Sequence, residues 1–246
     1  MMLALLYHRV GDGKYANPWP MMDRHLGYIA KRYRTVWPGE PLHLFRREIC
    51  LTFDDATFDF YYYIFPLLKK YQLRALLAVP VRYIQESSDL APSIRLSIPY
   101  SSAMKGDIYR THAPFCTWQE LREMAHSGLV QIASHSYHHQ NLLTPGLDLE
   151  LDIAQSKKIL EEKLGVEVRT FVYPLGKFNP AIHRQVKRHY DYAMRIGTAW
   201  NMSWQNISGM VYRVISDNLT SVDQQFCLKR KLTYLWFYLI NTLRRR

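Results

Sequence analysis

The sequence predicts an α/β fold, a parallel sheet covered by helices and either closed as a barrel or open and doubly wound. Three observations predict it. Short apolar runs rich in β-branched or aromatic residues alternate with amphipathic stretches of helix length. The chain has 246 residues, which suits one β/α domain. Hydrophobic residues make up 48% of it, enough to bury a full core and to argue against wholesale disorder.

The elements follow in order. Leu3-Ala4-Leu5-Leu6-Tyr7 predicts a strand over 3–7, and the amphipathic stretch 22–33 a helix. Ile49-Cys50-Leu51-Thr52-Phe53 predicts a strand over 49–53, followed by a helix over 60–71 and a strand over 75–79. Residues 84–116 break the rhythm. They carry Ser, Pro, Gly and Tyr with little periodicity, and a connection this long is commonly functional or disordered. Thr117 with Glu120 forms a capping box that opens a helix over 118–127, and Gly128 stops it. A strand over 130–133 precedes a helix over 149–164, which ends at Gly165. After a strand over 170–173, Asn179-Pro180 supplies an N-cap and a proline at the first helical position for a helix over 181–189. A strand over 192–196 follows. No internal repeat or low-complexity tract interrupts the chain, so residues 1–225 read as one domain and 226–246 as a basic aromatic tail.

The net charge of +11 and pI near 9.5 favour anionic surroundings, although an ordinary solvated basic surface has the same balance. Cys50, Cys116 and Cys227 lie far apart with no C-x-x-C spacing, which is neither a zinc-finger nor a disulfide pattern and suits a reducing compartment. Met1 to Leu6 lacks the basic start, the longer apolar run and the cleavage site of a secretory signal. A cytoplasmic protein is the expectation. No motif for nucleic-acid binding accompanies the positive charge.

In parallel β/α folds the reactive groups collect at the carboxyl ends of the strands. Four clusters fall there: His8, Asp54-Asp55, His135 and Tyr173-Pro174. Adjacent aspartates behind an apolar strand repel one another unless a cation neutralises them, and a metal can hold one and leave the other as a base. A lone aspartate there would read as a turn or cap residue. His135 and His139 are four apart, so a helical turn would project both imidazoles from one face. That spacing alone would also fit two surface histidines. With Asp55 they make a two-histidine, one-carboxylate set that suits zinc, and also Fe(II), Co(II) or Ni(II). His138 is a rival ligand, read here as outside the set.

Thr52-Phe53-Asp54-Asp55 and His135-Ser136-Tyr137-His138-His139 resemble the first two motifs of the NodB-like polysaccharide deacetylases, carbohydrate esterase family 4. The similarity continues through Thr117-Trp118-Gln119-Glu120-Leu121, Ser127-Gly128 and Phe171-Val172-Tyr173-Pro174-Leu175-Gly176, and spans roughly residues 3–220. The resemblance implies a single distorted (β/α)7 barrel that hydrolyses N-acetyl groups from an N-acetylated sugar, in a polysaccharide, an oligosaccharide or a lipid-linked precursor of a cell-surface glycan. It also implies Asp54 as general base and Asp55, His135 and His139 as ligands to a divalent metal, with zinc expected. The late L-x-x-H motif that carries the family's acid histidine is missing. Leu5-Leu6-Tyr7-His8-Arg9-Val10 instead resembles the start of the circularly permuted branch that includes poly-β-1,6-N-acetylglucosamine deacetylases, which implies His8 as general acid. Tyr173, Pro174 and Leu175 are expected along the substrate groove, although Tyr173 and Leu175 could equally be core. Two departures stand out: Ala56 replaces a usual glycine, and no arginine follows Tyr173-Pro174 to orient Asp54. Ala56 and the missing late histidine leave open a glycan-binding barrel without turnover. Deformylation or another amide cleavage would use the same parts.

The tail alternates Lys229-Arg230-Lys231, an apolar stretch from Leu232 to Leu243, and Arg244-Arg245-Arg246. Its apolar part is shorter than the roughly 20 residues a membrane span needs. An interfacial helix on an anionic membrane, with Tyr234, Trp236 and Tyr238 at headgroup depth, is one expectation; a last helix packed on the barrel is the other. The first would place the protein at the inner face of a cytoplasmic membrane.

Overall fold

A computed structural model describes residues 1–43, 46–206 and 208–243. Seven strands form the sheet: β1 Met2–Tyr7, β2 Glu48–Phe53, β3 Ala75–Val79, β4 Val130–Ser134, β5 Thr170–Val172, β6 Tyr192–Ile196 and β7 Met210–Ile215. All pair in parallel. β1 bonds both β2 and β7, so the sheet closes into the (β/α)7 barrel and leaves these strands no open edge. The open, doubly wound alternative falls. A two-residue strand, Arg34–Thr35, runs beside the start of β2.

The strands alternate between two environments, as a period of two requires. Met2, Ala4, Cys50, Leu76, Ala78, Ala133, Met194 and Val211 pack together inside the barrel, where several small side chains suit a narrow interior. Leu3, Leu5, Ile49, Leu51, Leu77 and Ile132 belong to the larger cluster between barrel and helices. Those helices are α1 Trp19–Ala30, α2 Phe65–Tyr71, α3 Trp118–His126, α4 Ser156–Leu164, α5 Pro180–His189 and α6 Leu228–Leu243. The capping box of α3 is present, Asn179 accepts the N–H of Ile182 at the start of α5, and Gly165 ends α4 with φ 66°.

Four differences from the sequence reading stand out. The first helix begins and ends three residues earlier than expected, because Pro20 sits in its first turn, where its missing N–H costs nothing. The helices expected over 60–71 and 149–164 both open as π-helical turns, Phe60–Ile64 and Glu150–Gln155. Residues 84–116 hold three short helices, Pro92–Leu96, Tyr100–Ala103 and Ile108–His112. Arg95 anchors them: it donates to the carbonyls of Ala113 and Phe115 at 2.8 Å, pairs with Glu120 at 2.6 Å and lies over the Phe58 ring. β7 was not expected, because Arg213 interrupts its apolar run. The expected Arg244-Arg245-Arg246 end of the tail lies outside the described residues.

Candidate metal centre and active site

The inward rows of the barrel continue past the strand ends and deliver the site. His8 lies four residues beyond inward-facing Ala4, Asp54 four beyond Cys50, His135 two beyond Ala133 and Arg213 two beyond Val211. All four therefore point toward the mouth. Asp55 falls on the outward parity and reaches the same place by other means. Asp55 and Ala56 both take positive φ, 72° and 49°, so the chain turns over at once after β2. Ala56 occupies this left-handed position, where the family resemblance leads one to expect glycine.

Asp55, His135 and His139 each offer a ligand atom, and those atoms lie within 4.8 Å of one another. His139 Nε2 is 3.0 Å and His135 Nε2 3.6 Å from Asp55 Oδ1. Residues 135–139 do not form the helical turn expected from their spacing. Ser136 and His139 take positive φ, 63° and 54°, and the loop is held by buried Asp152. Its Oδ1 accepts the N–H groups of Tyr137 and His138, and its Oδ2 lies 3.0 Å from His138 Nδ1. His138 is thus turned onto Asp152 and away from the ligand set.

The protonation states fit a cation. His135 Nδ1–H donates to the Val172 carbonyl at 2.8 Å, which leaves the Nε2 lone pair facing Asp55. Burial pushes its pKa down to about 4, so the ring is neutral at physiological pH. Burial alone would raise the carboxyl of Asp55, yet His139 and His135 outweigh it and hold it well below the usual range. For His139 burial pulls down and the Asp55 carboxylate pulls up more strongly, so its pKa is raised. Tyr100 donates its hydroxyl to Asp55 Oδ2 at 2.8 Å. Asp55 Oδ1 is fully buried and, beyond the 3.0 Å pair with His139 Nε2, has no hydrogen-bond partner among the described residues. An unsatisfied buried carboxylate oxygen is costly unless a cation meets it. Two neutral-capable imidazoles and this oxygen make a donor set that fits a divalent metal.

Asp54 is held differently. Arg213, 1% exposed, grips both carboxylate oxygens at 2.6 and 2.9 Å. Burial pushes Asp54 up, but the guanidinium and His135 together keep it below its ordinary value. Asp54 Oδ2 sits 3.7 Å from His135 Nε2, beside the ligand set. His8 has its own carboxylate: Nδ1–H donates to Asp217 Oδ2 at 2.7 Å, and the His8 backbone N–H to Oδ1 at 3.0 Å. Burial pulls the His8 pKa down, yet Asp217, with Asp55 and Asp54, raises it to about 9. The ring is protonated at neutral pH.

The expected groove residues separate. Tyr173 is buried against Phe171 and Phe178, with its hydroxyl 2.8 Å from His183 Nδ1, because it lies on the outward parity next to Val172. Pro174 is buried too, and Leu175 is 60% exposed. Sequence reasoning missed Arg213, Asp217, Tyr100 and Asp152. Asp217 carried a usable signal, since it follows an apolar run as the other site residues do.

The polysaccharide deacetylase family model matches residues 45–194. The chain belongs to that family. A poly-β-1,6-N-acetyl-D-glucosamine N-deacetylase of Escherichia coli strain K12 is 27% identical over 182 residues, covering 62% of this chain and 25% of the relative. The chain thus spans a quarter of that relative's length. Two solved structures share the fold: a Streptococcus pyogenes deacetylase, PplD, in complex with acetate, and IcaB from Ammonifex degensii. The first has a TM-score of 0.72 at 19% identity over 95% of this chain and 97% of that one. The second has 0.68 at 22% identity over 88% and 92%.

Proposed function

We propose that this polysaccharide deacetylase family member is a metal-dependent carbohydrate N-deacetylase, with Asp55, His135 and His139 as metal ligands, Asp54 as general base and His8 as general acid. The convergence of buried Asp55 Oδ1 with two imidazole nitrogens carries the reading. A divalent ion held there, zinc by preference and Co(II), Ni(II) or Fe(II) as alternatives, supplies Lewis acidity toward an acetamide carbonyl and lowers the pKa of water. Asp54, kept ionised and aimed by Arg213, takes the proton of the attacking water. His8, protonated and fixed by Asp217, gives a proton to the departing amine. A glycan-binding barrel without turnover would have no need of Asp54 as a base. The name of the E. coli relative supports an N-acetylglucosamine polymer as substrate.

The test is acetate release from N-acetylglucosamine oligomers by metal-loaded protein. Asp54→Asn is expected to retain the metal, read by elemental analysis, and to lose about 10²–10⁴ in rate. His135→Ala should lose both metal and rate. An active Asp54→Asn protein would refute the assigned base; a wild type that binds no divalent metal would refute the whole reading.

A further inference from the structure

We propose that the amino-terminal end of the barrel, opposite the catalytic mouth, is a docking face for an anionic lipid bilayer. Helix α6 lies against this end. Tyr234 is its one buried side chain among the described residues, with its hydroxyl donating to Gln225 Oε1 at 2.7 Å. Its carbonyl accepts the N–H of Trp200, next to Asn201, which exchanges backbone hydrogen bonds with Met2 at the start of β1. Leu228, Leu232, Leu235, Trp236, Leu239 and Leu243 recur at helical spacing and form one stripe on the side away from Tyr234. They are exposed by 46 to 84%. An amphipathic helix normally docks on its own domain through its apolar stripe. This one docks through a tyrosine and turns its leucines outward.

The surrounding charges identify what covers the stripe. Lys229, Arg230 and Lys231 occupy the first turn of α6, where the helix macrodipole disfavours cations, and no acid accompanies them. Lys31 and Arg32 follow α1, and Arg46 and Arg47 precede β2. None of these seven pairs with a carboxylate among the described residues. They also converge. Arg46, Arg47 and Lys231 line a cleft of about 270 Å³ together with buried Leu3, Ile49 and Phe226. The same two arginines share a depression with Lys31 and Arg32. An exposed apolar stripe flanked by unpaired cations is complementary to acyl chains beneath anionic headgroups. A second copy of this chain would instead bring one +11 molecule against another. No helix among the described residues is long and apolar enough to cross a membrane, so attachment through α6 would be peripheral. Docked this way, the catalytic mouth points away from the lipid, and a substrate sugar must stand off the surface.

The test is co-sedimentation of the full chain with phosphatidylcholine vesicles, with and without about 30% phosphatidylglycerol, at about 0.15 M salt. Binding is expected only with the anionic lipid, weaker at higher salt, with a blue shift in tryptophan emission that Trp236→Phe diminishes. Leu235→Glu with Leu239→Glu, and separately Arg46→Glu with Arg47→Glu, should each reduce partitioning about tenfold or more. Both pairs are exposed, so melting temperature and acetate release from soluble oligomers should stay at the parent level. Equal binding to neutral vesicles, no binding by the parent, or parent-like binding by both double variants overturns the proposal. A concentration-dependent dimer dispersed by the leucine pair, without vesicle binding, assigns the stripe to a second copy. The vesicle readout does not require deacetylase activity, so failure of either idea leaves the other standing.

Discussion

Asp54 and Asp55 are neighbours whose surroundings divide their work. Asp54 continues the inward row of β2 into the grip of Arg213, whereas Asp55 turns through a left-handed backbone toward two imidazoles. Tyr100 holds Asp55 Oδ2, so Oδ1 is left as the ligand oxygen. Tyr100→Phe should therefore weaken divalent metal binding about tenfold or more, the usual size for losing a hydrogen bond to a ligand. Chelator competition measures it, and an unchanged affinity would remove the role. His8 offers a pH test. Its protonated form is the acid, and Asp217, with Asp55 and Asp54, raises its pKa to about 9 against the downward pull of burial. As pH rises through that pKa the rate should fall, whereas the acid limb belongs to Asp54 and the ligand histidines. Asp217→Asn removes an upward push, so the falling limb should move to lower pH by about one unit or more. A metal bound beside His8 repels the imidazolium and lowers the limb in both proteins, leaving the direction of the shift unchanged. A pH–rate profile with an unmoved limb would show that His8 is not the titrating acid.

At the scale of elements, β7 and the 84–116 segment complete what the earlier strands begin. β7 places Arg213 inside the barrel, where it meets Asp54 and, at 3.3 Å, Thr52 Oγ1. Arg213→Met strands a buried carboxylate, and breaking such a pair by removing one partner costs about 3–5 kcal/mol. Urea unfolding of the metal-free protein checks this. The Asp54 carboxyl is held below its ordinary value. The pair's contribution is therefore complete above the ordinary carboxylate range and disappears as pH falls through the depressed pKa. The difference between parent and variant should shrink in acid, and a constant difference would count against the pairing. The 84–116 segment looked structureless because its anchor is not periodic. One buried arginine, Arg95, ties it to Ala113, Phe115 and Glu120, and so positions Tyr100 over the mouth.

For the whole molecule, barrel closure concentrates buried charge at one end and leaves a candidate metal site there. A metal that binds the folded state alone should stabilise it by about 2.7 kcal/mol at a hundredfold excess over Kd, read as a rise in melting temperature. His135→Ala should show no such rise, and an equal rise in that variant would place the ion elsewhere. The alternation of elements and the position of His8, Asp54 and His135 at strand ends were legible in the sequence, because a period of two is a local property. The same parity, applied to Val172, marks Tyr173 as outward-facing. The paired histidine motif was legible as well, but the shape of its loop was not. Left-handed backbone at Ser136 and His139 is held by Asp152, and nothing in the spacing reveals that.

By itself, then, the chain's order of residues determined the α/β alternation, the family likeness and the chemical types assembled at the mouth. Tertiary structure decided which partner each carboxylate meets. Arg213 meets Asp54 across 159 residues of sequence, Asp217 meets His8 across 209, and Tyr100 meets Asp55 across 45. For the first two the reason is closure, since Arg213 and Asp217 reach their partners only when β7 seals against β1. Tyr100 arrives with the segment that Arg95 anchors, and no local pattern encodes either meeting.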